Sequence, residues 1–373
     1  MRGKIQLREL MENNRLDKLG GGGGFHAKIF ERITSKVNLF AAWREFQNGK
    51  MRKGDVLTFA EHFETHLLEL YTVLVSGTYQ HGKYTTFFVH DPKQRRISKP
   101  SVRDRVLHHA ICRVLMPLFD RPFIFDSYSS RKGKGTHSAI NRFRGLALSL
   151  SQNNTKTVWI LKCDIRKFFE SVDHNILLRL CAIKISDQKL LALLEKIIRS
   201  FEAKPGKGIP LGNLTSQLLA NIYLDQLDQY VKRELRCKNY VRYTDDFVLL
   251  SQSQTELEEM LPKIRGFLQE KLLIELHPDK VLFKRWHAGI DFLGFVHFPH
   301  FRVVRTKTKK RILRKLPKRQ QEVLDGTLGK EAFEQVKQSY LGVLSHGRNK
   351  QLSRHIRKKF MLEKPKKASE RPS

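Results

Sequence analysis

Two adjacent aspartates, Asp245 and Asp246, separate two short apolar segments of the sequence, residues 240–243 and 247–250. Each apolar segment has the length and composition of a strand, so the acidic pair is predicted to occupy the turn of a β-hairpin. A third aspartate, Asp164, ends another mostly apolar segment. Both positions are places where a buried strand delivers a side chain to a surface cleft. The sequence therefore predicts that the three carboxylates face one another from neighbouring strands.

Carboxylates in such positions favour metal chemistry. Hard divalent cations bind carboxylate oxygens, and transfer of a nucleotidyl group uses two such ions about 4 Å apart. One ion lowers the pKa of a 3′ hydroxyl, and the other stabilises the leaving pyrophosphate. The alternative is that the acidic turn is merely a solvated loop. Its apolar flanks argue against this alternative, because two adjacent carboxylates near buried strands repel each other unless a cation neutralises them.

The charge of the chain indicates a polyanionic partner. The 373 residues include 70 Lys and Arg against 37 Asp and Glu, a formal net charge of +33. Ten of these basic residues, and no acidic one, lie in residues 302–319. A run of this kind is often only a solvated face, but this one exceeds what solubility requires. We expect it to bind a nucleic-acid backbone by releasing counterions.

Other sequence features limit the compartment and the chemistry. No apolar run approaches the roughly 18 residues of a membrane-spanning helix, so we expect a cytoplasmic protein without membrane contact. The four cysteines show no C-x-x-C spacing, which argues against a disulfide framework or a zinc ribbon. The adjacent pair His108 and His109 has no further ligands at metal-binding spacing, so we expect both side chains to pack on a helix.

Local patterns predict several further elements. Residues 84–89 have the composition of a strand, and apolar residues recur at helical spacing in residues 102–119 and 175–198. Thr215 or Ser216 is predicted to cap the helix that follows them, because hydroxyl side chains accept hydrogen bonds from the first backbone N–H groups.

Five segments, in order along the chain, resemble the motifs of reverse transcriptases of the group II intron-like lineage. The two segments that contain the three aspartates resemble the palm motifs of that lineage. The resemblance extends over residues 80–350 and implies an α+β, right-hand polymerase fold with fingers, an antiparallel-sheet palm and a helical thumb. The matching segments are residues 101–109, 126–137, 161–174, 243–247 and 291–295.

The resemblance also implies a division of the chain into regions. The fingers, palm and thumb would follow one another after a glycine-rich segment and an N-terminal helical extension, which the glycine run and the helical spacing of apolar residues predict. The expected regions are a flexible segment with a glycine linker (1–24), an N-terminal helical extension (25–79), fingers (80–155), palm (156–300), thumb (301–360) and a basic tail (361–373).

Metal ligands follow from the resemblance as well. The site would hold two Mg2+ ions, and Asp164 and Asp245 would both bind to both of them. The carbonyl group of Ile165 would be a further ligand, and Mn2+ is an alternative ion. Asp246 is a further candidate ligand. These residues would make the chain a metal-dependent enzyme in which Asp164, Asp245 and Asp246 are catalytic.

The resemblance further implies a nucleotide pocket. Phe169 would exclude a ribose 2′ hydroxyl, unless it is a plain core side chain. The arginines would hold the triphosphate, because guanidinium binds such anions through two hydrogen bonds. Lys280 would donate a proton to pyrophosphate, or is simply solvated. The expected pocket residues are Arg95, Arg96, Arg103, Phe169, Leu211, Gly212, Gln217 and Lys280.

Two further sets of residues would contact the nucleic acid. The first is a primer grip, in which a glycine lets the backbone approach the primer strand. The second is the basic start of the thumb. The primer grip would be Phe292, Leu293 and Gly294, and the thumb contacts would be Lys307, Lys309, Lys310, Arg311, Arg314 and Lys315.

One segment, residues 211–217, separates branches of this lineage. It resembles the form found in diversity-generating retroelements, with Leu211 and Gln217 where intron-encoded enzymes usually have Gln and Pro. An aliphatic side chain in place of the amide removes a polar check on base-pair geometry. The resemblance links this change to error-prone copying opposite template adenines. For Gln217, the alternative is an ordinary residue in the first turn of a helix.

The resemblance implies a function as an RNA-directed DNA polymerase. It would copy a template RNA into cDNA from dNTPs for mutagenic retrohoming, in a bacterial, archaeal or phage system. The implied partners are the template RNA, the primer or cDNA strand and a pentameric accessory variability protein. Two alternatives stay open. One is a group II intron-type, retron or defence-associated reverse transcriptase, and the other is a catalytically dead RNA-binding protein with a polymerase-like fold.

Overall fold

The computed structural model describes residues 28–90 and 94–360. The expected flexible segment 1–24 and basic tail 361–373 lie outside the described residues. The chain divides into two compact units. Of the described residues, the first comprises those up to Gly135, Lys162–Phe247 and Glu258–Val281, and the second comprises Thr136–Leu161, Val248–Leu257 and those from Leu282 to Phe360.

The first unit begins with a group of amphipathic helices, as the sequence predicted for the N-terminal extension. Their apolar faces meet around Trp43, whose ring lies 5.0 Å from that of Phe59 and 5.9 Å from that of Phe63. Aromatic side chains bury large apolar areas, so this cluster stabilises the extension. The helices are α1 (Ile29–Thr34), α2 (Lys36–Gln47), α3 (Gly54–Glu61) and α4 (Phe63–Val75).

A two-stranded hairpin follows the extension. Strand β1 (Thr85–Val89) confirms the predicted strand, and it pairs antiparallel with β2 (Arg95–Lys99). The sequence did not predict β2, because its basic residues hide the alternation of a strand. Helix α5 (Val102–Asp120) then starts at the predicted position.

The N-terminal cap of α5 is Ser101, whose hydroxyl accepts a hydrogen bond from the backbone N–H of Asp104 at 3.1 Å. The expected packing of the adjacent histidines on this helix is confirmed. His108 is buried, and the ring of His109 lies edge-on to Phe46 with centroids 5.6 Å apart. The next helix, α6 (Thr136–Leu150), belongs to the second unit.

The central sheet has four strands in the order β4–β5–β3–β6. Strands β3 and β5 each contribute residues to both units. The predicted hairpin around Asp245 is confirmed, since β4 and β5 flank a two-residue turn. The strands are β3 (Trp159–Asp164), β4 (Tyr240–Tyr243), β5 (Asp246–Ser251) and β6 (Leu282–Arg285).

Four helices of the first unit lie between β3 and β4. The helical pattern of residues 175–198 is confirmed and is divided between two helices. Asp187 caps the second one, because its carboxylate accepts from the N–H of Leu190 at 3.2 Å. A π-helical turn, Tyr230–Glu234, follows the last of the four. The helices are α7 (Phe168–Ser171), α8 (His174–Ala182), α9 (Gln188–Arg199) and α10 (Leu214–Gln229).

Helix α11 (Gln254–Lys271) follows β5, and the rest of the chain belongs mainly to the second unit. There the ring of Phe143 contacts Trp286, Phe292 and His297 at centroid distances of 5.2 to 5.6 Å. No helix of the described part is both long and apolar enough to cross a bilayer. The remaining elements are β7 (Ile290–Phe292), β8 (Phe295–His297), β9 (Arg302–Val304), α12 (Thr306–Leu324), α13 (Lys330–Ser345) and α14 (Lys350–Lys359).

Candidate active site

The site is built where β3 ends beside the turn between β4 and β5. The backbone N–H of Ile165 donates a hydrogen bond to the carbonyl oxygen of Asp245 at 3.1 Å. This bond places Asp164, the last residue of β3, directly beside the acidic turn. Thr244 has φ +54°, a left-handed conformation that a tight turn requires. Residues that are 81 positions apart in the sequence therefore meet at one edge of the sheet.

The two carboxylates affect each other electrostatically. Burial raises the pKa of Asp245 above its usual value, and the neighbouring carboxylate of Asp164 raises it further. Lys280 and Arg95 act in the opposite direction. A divalent cation between the carboxylates would relieve this repulsion, and oxygen donors suit Mg2+ and Mn2+. Asp164 and Asp245 therefore fit a metal ion.

Within the described residues, no group of three His, Cys, Asp or Glu side chains is arranged to hold a metal ion. The third aspartate has other surroundings: Asp246 Oδ1 lies 3.5 Å from the ammonium group of Lys162. Lys162 stands two residues before Asp164 on β3, so the two side chains leave the strand on the same side. The structure therefore brings together Asp164 and Asp245 and gives Asp246 a lysine partner.

Lys280 contacts the carboxylate pair. Its ammonium Nζ lies 2.6 Å from Asp164 Oδ1. The segment before it is held by the backbone N–H of His277, which donates to the carbonyl oxygen of Asp164 at 2.8 Å. The His277 ring nitrogen accepts from the N–H of Asp279 at 3.2 Å and starts the 3-10 turn Pro278–Lys280. Lys280 is thus placed at the site by backbone contacts.

The hairpin register separates the two adjacent arginines. Arg95 pairs with Val89 and Arg96 with Phe88, so the two guanidinium groups leave β2 on opposite faces. Ile97 shares its face with Arg95, and its Cγ2 would lie 3.1 Å from a Cβ placed on Gly212. Arg95 also lowers the pKa of Asp245 through its charge.

Arg103 has a different environment. Its guanidinium donates to the carbonyl oxygen of Gln80 at 2.8 Å and to Asp104 Oδ1 at 3.2 Å, and it lies over the ring of Tyr79. Asp104 is buried and also accepts from the Tyr79 hydroxyl at 2.9 Å and from the N–H of Gly82 at 3.0 Å. In this conformation Arg103 stabilises the base of the hairpin.

Two segments of the expected nucleotide pocket are adjacent. The N–H of Ile209 donates to the carbonyl oxygen of Phe169 at 2.7 Å, which brings the residues before Leu211 alongside α7. Phe168 is the buried core residue of this pair, whereas Phe169 is half-exposed. Gly212 has φ +102°, a conformation that suits glycine.

The start of α10 corrects one prediction. The helix begins at Leu214, so Asn213 occupies the N-cap position, and Thr215 and Ser216 lie buried inside the first turn. Gln217 is exposed in that first turn. Hydroxyl residues are common caps, but here the cap position falls on Asn213, two or three residues before Thr215 and Ser216.

The second unit contains the remaining predicted site residues. Leu293 and Gly294 form the turn between β7 and β8 with φ +49° and +92°, as two-residue hairpin turns require. Phe292 is buried in the core of this unit. On α12, Ile312 and Leu316 are buried, while the basic side chains cover the rest of the helix. The exposed ones are Lys307, Lys309, Lys310 and Arg314, and Arg311 and Lys315 are half-exposed.

Sequence reasoning missed two groups near the site. Lys162, the partner of Asp246, shares the strand spacing of two residues with Asp164, and that alternation was a usable signal. Tyr84 lies directly before β1, and its hydroxyl contacts Ser200 Oγ at 2.9 Å. No local pattern predicts the contact between Tyr84 and Ser200, because the two residues are 116 positions apart.

Paired carboxylates at the edge of an antiparallel sheet, next to a basic hairpin, are typical of nucleotidyl transferases that use metal ions. The family comparison agrees. Residues 89–297 match the family "Reverse transcriptase (RNA-dependent DNA polymerase)", and the chain belongs to this family. The resemblance to reverse transcriptases is thereby confirmed, and with it the α+β, right-hand polymerase fold of the family.

Curated relatives include proteins of group II introns. Protein YkfC of Escherichia coli (strain K12) is 28% identical over 262 residues, which cover 59% of this chain and 68% of that protein. The group II intron-encoded protein LtrA of Lactococcus lactis subsp. cremoris is 25% identical over 240 residues, which cover 61% of this chain and 39% of LtrA. The chain thus spans well under half of the length of LtrA.

Among solved structures, the apo telomerase from Candida Tropicalis is 13% identical, with a TM-score of 0.45. The alignment covers 59% of this chain and 48% of that structure. None of these comparisons distinguishes a diversity-generating retroelement from an intron, so that affiliation stays a prediction.

Proposed function

We propose that the chain is an RNA-directed DNA polymerase that extends a primer along a template RNA. The observation that carries this proposal is the hydrogen bond from Ile165 to Asp245, which sets Asp164 beside the acidic turn, where burial and then the Asp164 carboxylate raise the pKa of Asp245. Membership of the reverse transcriptase family supports it. The same arrangement argues against a catalytically dead RNA-binding protein, since such a protein has no reason to keep two repelling carboxylates near each other.

Asp164 and Asp245 would hold Mg2+, with the carbonyl group of Ile165 as a further oxygen donor. When bound, Mg2+ ions lower the pKa of the primer 3′ hydroxyl and stabilise the developing charge on pyrophosphate. Asp246 is a weaker candidate, because the Lys162 ammonium group lies 3.5 Å from its carboxylate. Asp246 would instead balance charge next to the two metal ligands.

The incoming deoxynucleotide would lie between the hairpin and the acidic turn. Arg95 is the best candidate for its triphosphate, because Arg95 shares a hairpin face with Ile97, which packs against Gly212. Arg96 lies on the other face, and Arg103 has hydrogen bonds to Gln80 and Asp104. We assign triphosphate binding to Arg95 and supporting roles to the other two.

Phe169 would select deoxynucleotides. Its neighbour Phe168 fills the core, and Phe169 is left half-exposed beside the Leu211 segment. An aromatic ring in such a position excludes a ribose 2′ hydroxyl by steric contact. Lys280 would donate a proton to the pyrophosphate, since its ammonium group already lies at Asp164.

The division into fingers (80–155), palm (156–300) and thumb (301–360) stays part of the proposal. The second unit would supply the primer grip, Phe292, Leu293 and Gly294, on a rigid hairpin turn. Its helix α12 would follow the primer–template duplex with exposed lysines and arginines, by a contact that weakens with salt. The substrates would be dNTPs, and the partners would be the template RNA and the cDNA strand.

For the biological role, we propose mutagenic retrohoming in a diversity-generating retroelement. Leu211 supports this role, because its half-exposed aliphatic side chain stands where an amide would check base-pair geometry. A pentameric accessory variability protein would then be a partner. A second candidate, a group II intron-type enzyme, is favoured by the similarity to the intron-encoded protein LtrA. Sequencing the genomic flanks separates the two, since a nearly duplicated template and variable repeat accompanies only the first.

Primer extension tests the proposed activity. The protein is incubated with an RNA template, a DNA primer, dNTPs and Mg2+, and the cDNA is measured. The intact chain should extend the primer, and Asp245→Asn should lower the rate by more than about a hundredfold. Asp325→Asn, the same change at an exposed carboxylate after α12, should extend normally. Equal rates for both variants would remove the catalytic assignment.

A further inference from the structure

Thr244, the residue directly before Asp245, has a strained backbone conformation. Its φ is +54°, and it is the first of the two residues in the turn between β4 and β5. Turns with a positive φ at that position usually have glycine there, because a β-branched residue is strained in the left-handed region. Strained residues persist where surrounding contacts determine their conformation, and they cluster at functional sites. The contacts of Thr244 therefore bear on the position of Asp245.

Two side chains hold Thr244 in this conformation. The guanidinium Nη1 of Arg242 donates a hydrogen bond to the Thr244 carbonyl oxygen at 3.1 Å. The Thr244 hydroxyl lies 2.7 Å from the hydroxyl of Ser129. The first contact fixes the peptide group that joins Thr244 to Asp245, and the second fixes the side chain of the same residue. Thr244 is thus held through both its backbone and its side chain.

The Arg242 side chain has a fixed orientation. It is fully buried, and its Nε and Nη2 donate to the two carboxylate oxygens of Asp228 at 2.7 and 2.6 Å. Nη2 also donates to Ser127 Oγ at 3.0 Å, and the Tyr240 hydroxyl donates to Asp228 at 2.8 Å. A buried guanidinium needs such a carboxylate, because an unpaired charge is costly away from water. The planar pairing with Asp228 therefore sets the direction of Nη1.

The segment that contains Ser129 is attached to the same elements. The backbone N–H of Arg242 donates to the carbonyl oxygen of Asp126 at 2.9 Å, and its carbonyl oxygen accepts from the N–H of Tyr128 at 3.0 Å. The Asn221 side chain on α10 donates to the carbonyl oxygen of Ser129 at 2.9 Å. Both contacts of Thr244 thus come from one connected part of the first unit.

We propose that Arg242 is a positioning residue for Asp245. Through the Thr244 carbonyl group, it keeps the turn in the left-handed conformation in which Asp245 lies beside the end of β3. Asp228 orients Arg242, and Ser129 supplies the second contact. Arg242 itself would touch neither the metal ions nor the nucleotide. The inference deepens the proposed function, because it assumes that Asp245 binds a metal ion.

Arg242→Lys is the direct test. Lysine keeps a buried positive charge opposite Asp228 but lacks the planar group that contacts Asp228 and Thr244 together. The first readout is amide hydrogen exchange at Ile165, whose N–H donates to the Asp245 carbonyl oxygen. We expect this exchange to become about threefold to tenfold faster, the value of one net hydrogen bond. This readout requires neither a metal ion nor polymerase activity.

Mn2+ binding is the second readout. It is measured by electron paramagnetic resonance on the complex with RNA template, dideoxy-terminated primer and a non-hydrolysable dNTP. Because a displaced Asp245 binds the ion less well, we expect the Kd for Mn2+ in Arg242→Lys to rise about threefold to tenfold.

Tyr240→Phe serves as the matched control. It removes one hydrogen bond from the same buried carboxylate, Asp228, and leaves the contacts of Thr244 in place. We expect a lower thermal midpoint, with the exchange rate at Ile165 and the Kd for Mn2+ within about twofold of the unchanged chain. A merely structural role of Arg242 predicts instead that Arg242→Lys and Tyr240→Phe change the midpoint, the exchange rate and the Kd in parallel.

Two further variants test the mechanism at Thr244. Ser129→Ala removes the second contact without altering a buried charge, and exchange at Ile165 should become about twofold to fivefold faster. Thr244→Gly removes the backbone strain, because glycine adopts a positive φ freely. The effect of Arg242→Lys on exchange should therefore be smaller in the Thr244→Gly background.

The exchange rate at Ile165 decides the inference. An unchanged rate in Arg242→Lys, or in Ser129→Ala if Arg242→Lys does not fold, would overturn it. An equal effect of Arg242→Lys with and without Thr244→Gly would also overturn it. An unchanged chain that binds no Mn2+ or makes no cDNA would contradict the proposed function alone, because hydrogen exchange still decides the role of Arg242.

Discussion

Lys280 and Asp164 form an ion pair, with 2.6 Å between the ammonium nitrogen and one carboxylate oxygen. The ammonium group therefore lies at an oxygen that a metal ion would need. Lysine is a compact point charge on a flexible stem, so it can leave the carboxylate when a divalent cation binds. The proposed function therefore gives Lys280 two opposing effects, since it would compete with the metal ion for Asp164 and would supply a proton to pyrophosphate.

Lys280→Gln separates these two effects. We expect the free protein to bind Mn2+ about two- to fivefold more tightly, because a partly exposed ion pair no longer competes. We expect primer extension to slow by about a hundredfold, because the proton donor is lost. Electron paramagnetic resonance measures bound Mn2+, and single-turnover extension measures the rate. Lys271→Gln, at the end of α11, should change neither; parallel losses of binding and rate would contradict the competition.

Gly212→Ala tests the contact between the β1–β2 hairpin and the segment that contains Leu211 and Gly212. Gly212 has φ +102°, and an added Cβ would lie 3.1 Å from Ile97 Cγ2. We expect the free energy of unfolding to fall by about 1 kcal/mol or more, and the KM for dNTP to rise. Gly49→Ala is the control, because Gly49 also has a positive φ but no atom within 4 Å of the added Cβ. It should lose stability without a change in KM.

Leu211→Gln tests the proposed fidelity site. A polar amide at this half-exposed position should restore a check on base-pair geometry. We expect misincorporation opposite template adenines to fall about threefold to tenfold, the value of one hydrogen bond. Sequencing of the cDNA gives the error spectrum, and Leu57→Gln on the exposed face of α3 is the control. Identical error spectra for the unchanged chain, Leu211→Gln and Leu57→Gln would show that Leu211 does not determine fidelity.

The fold around the carboxylates could be predicted from local patterns. Each aspartate follows or precedes an apolar segment of strand length, so the hairpin and the end of β3 were visible in the sequence. Asp187, which starts a second helix, carried a capping signal that the continuous apolar pattern of residues 175–198 obscured. The spacing of apolar residues was sufficient to predict a strand or helix wherever one face of that element is buried.

The strand face that a side chain occupies and the residues that it contacts could be determined only from the tertiary structure. The sequence places Arg95 next to Arg96, and only the pairing of β1 with β2 shows that they leave the strand on opposite faces. The ion pair of Lys162 with Asp246 and the contact of Tyr84 with Ser200 join residues far apart in the chain. Such contacts depend on packing, for which a single sequence contains no direct record.

The buried imidazole of His108 predicts a pH dependence of stability. Burial, and secondarily the charge of His81, lowers the pKa of His108 from 6.5 to about 3. The unfolded chain binds a proton below about pH 6.5 that the folded chain does not. The contribution of His108 to the free energy of unfolding is therefore complete above that pH. It decreases as the pH falls, by about 1.4 kcal/mol per pH unit.

Thermal midpoints at pH 7.5 and 5.5 check this dependence. His108→Gln should lose less stability between the two pH values than the unchanged chain, because glutamine does not titrate. His355→Gln, at an exposed position on α14, should behave like the unchanged chain. A His108→Gln variant with the full pH dependence would show that other groups cause it.

The most direct test of the account is Mn2+ binding at the two carboxylates. Bound Mn2+ is measured by electron paramagnetic resonance on the complex with RNA template, dideoxy-terminated primer and a non-hydrolysable dNTP. The account predicts that Asp164→Asn and Asp245→Asn each lose this Mn2+ and that Asp325→Asn keeps it. Undiminished Mn2+ binding in Asp164→Asn and Asp245→Asn would contradict the central claim that these two side chains together form the metal site.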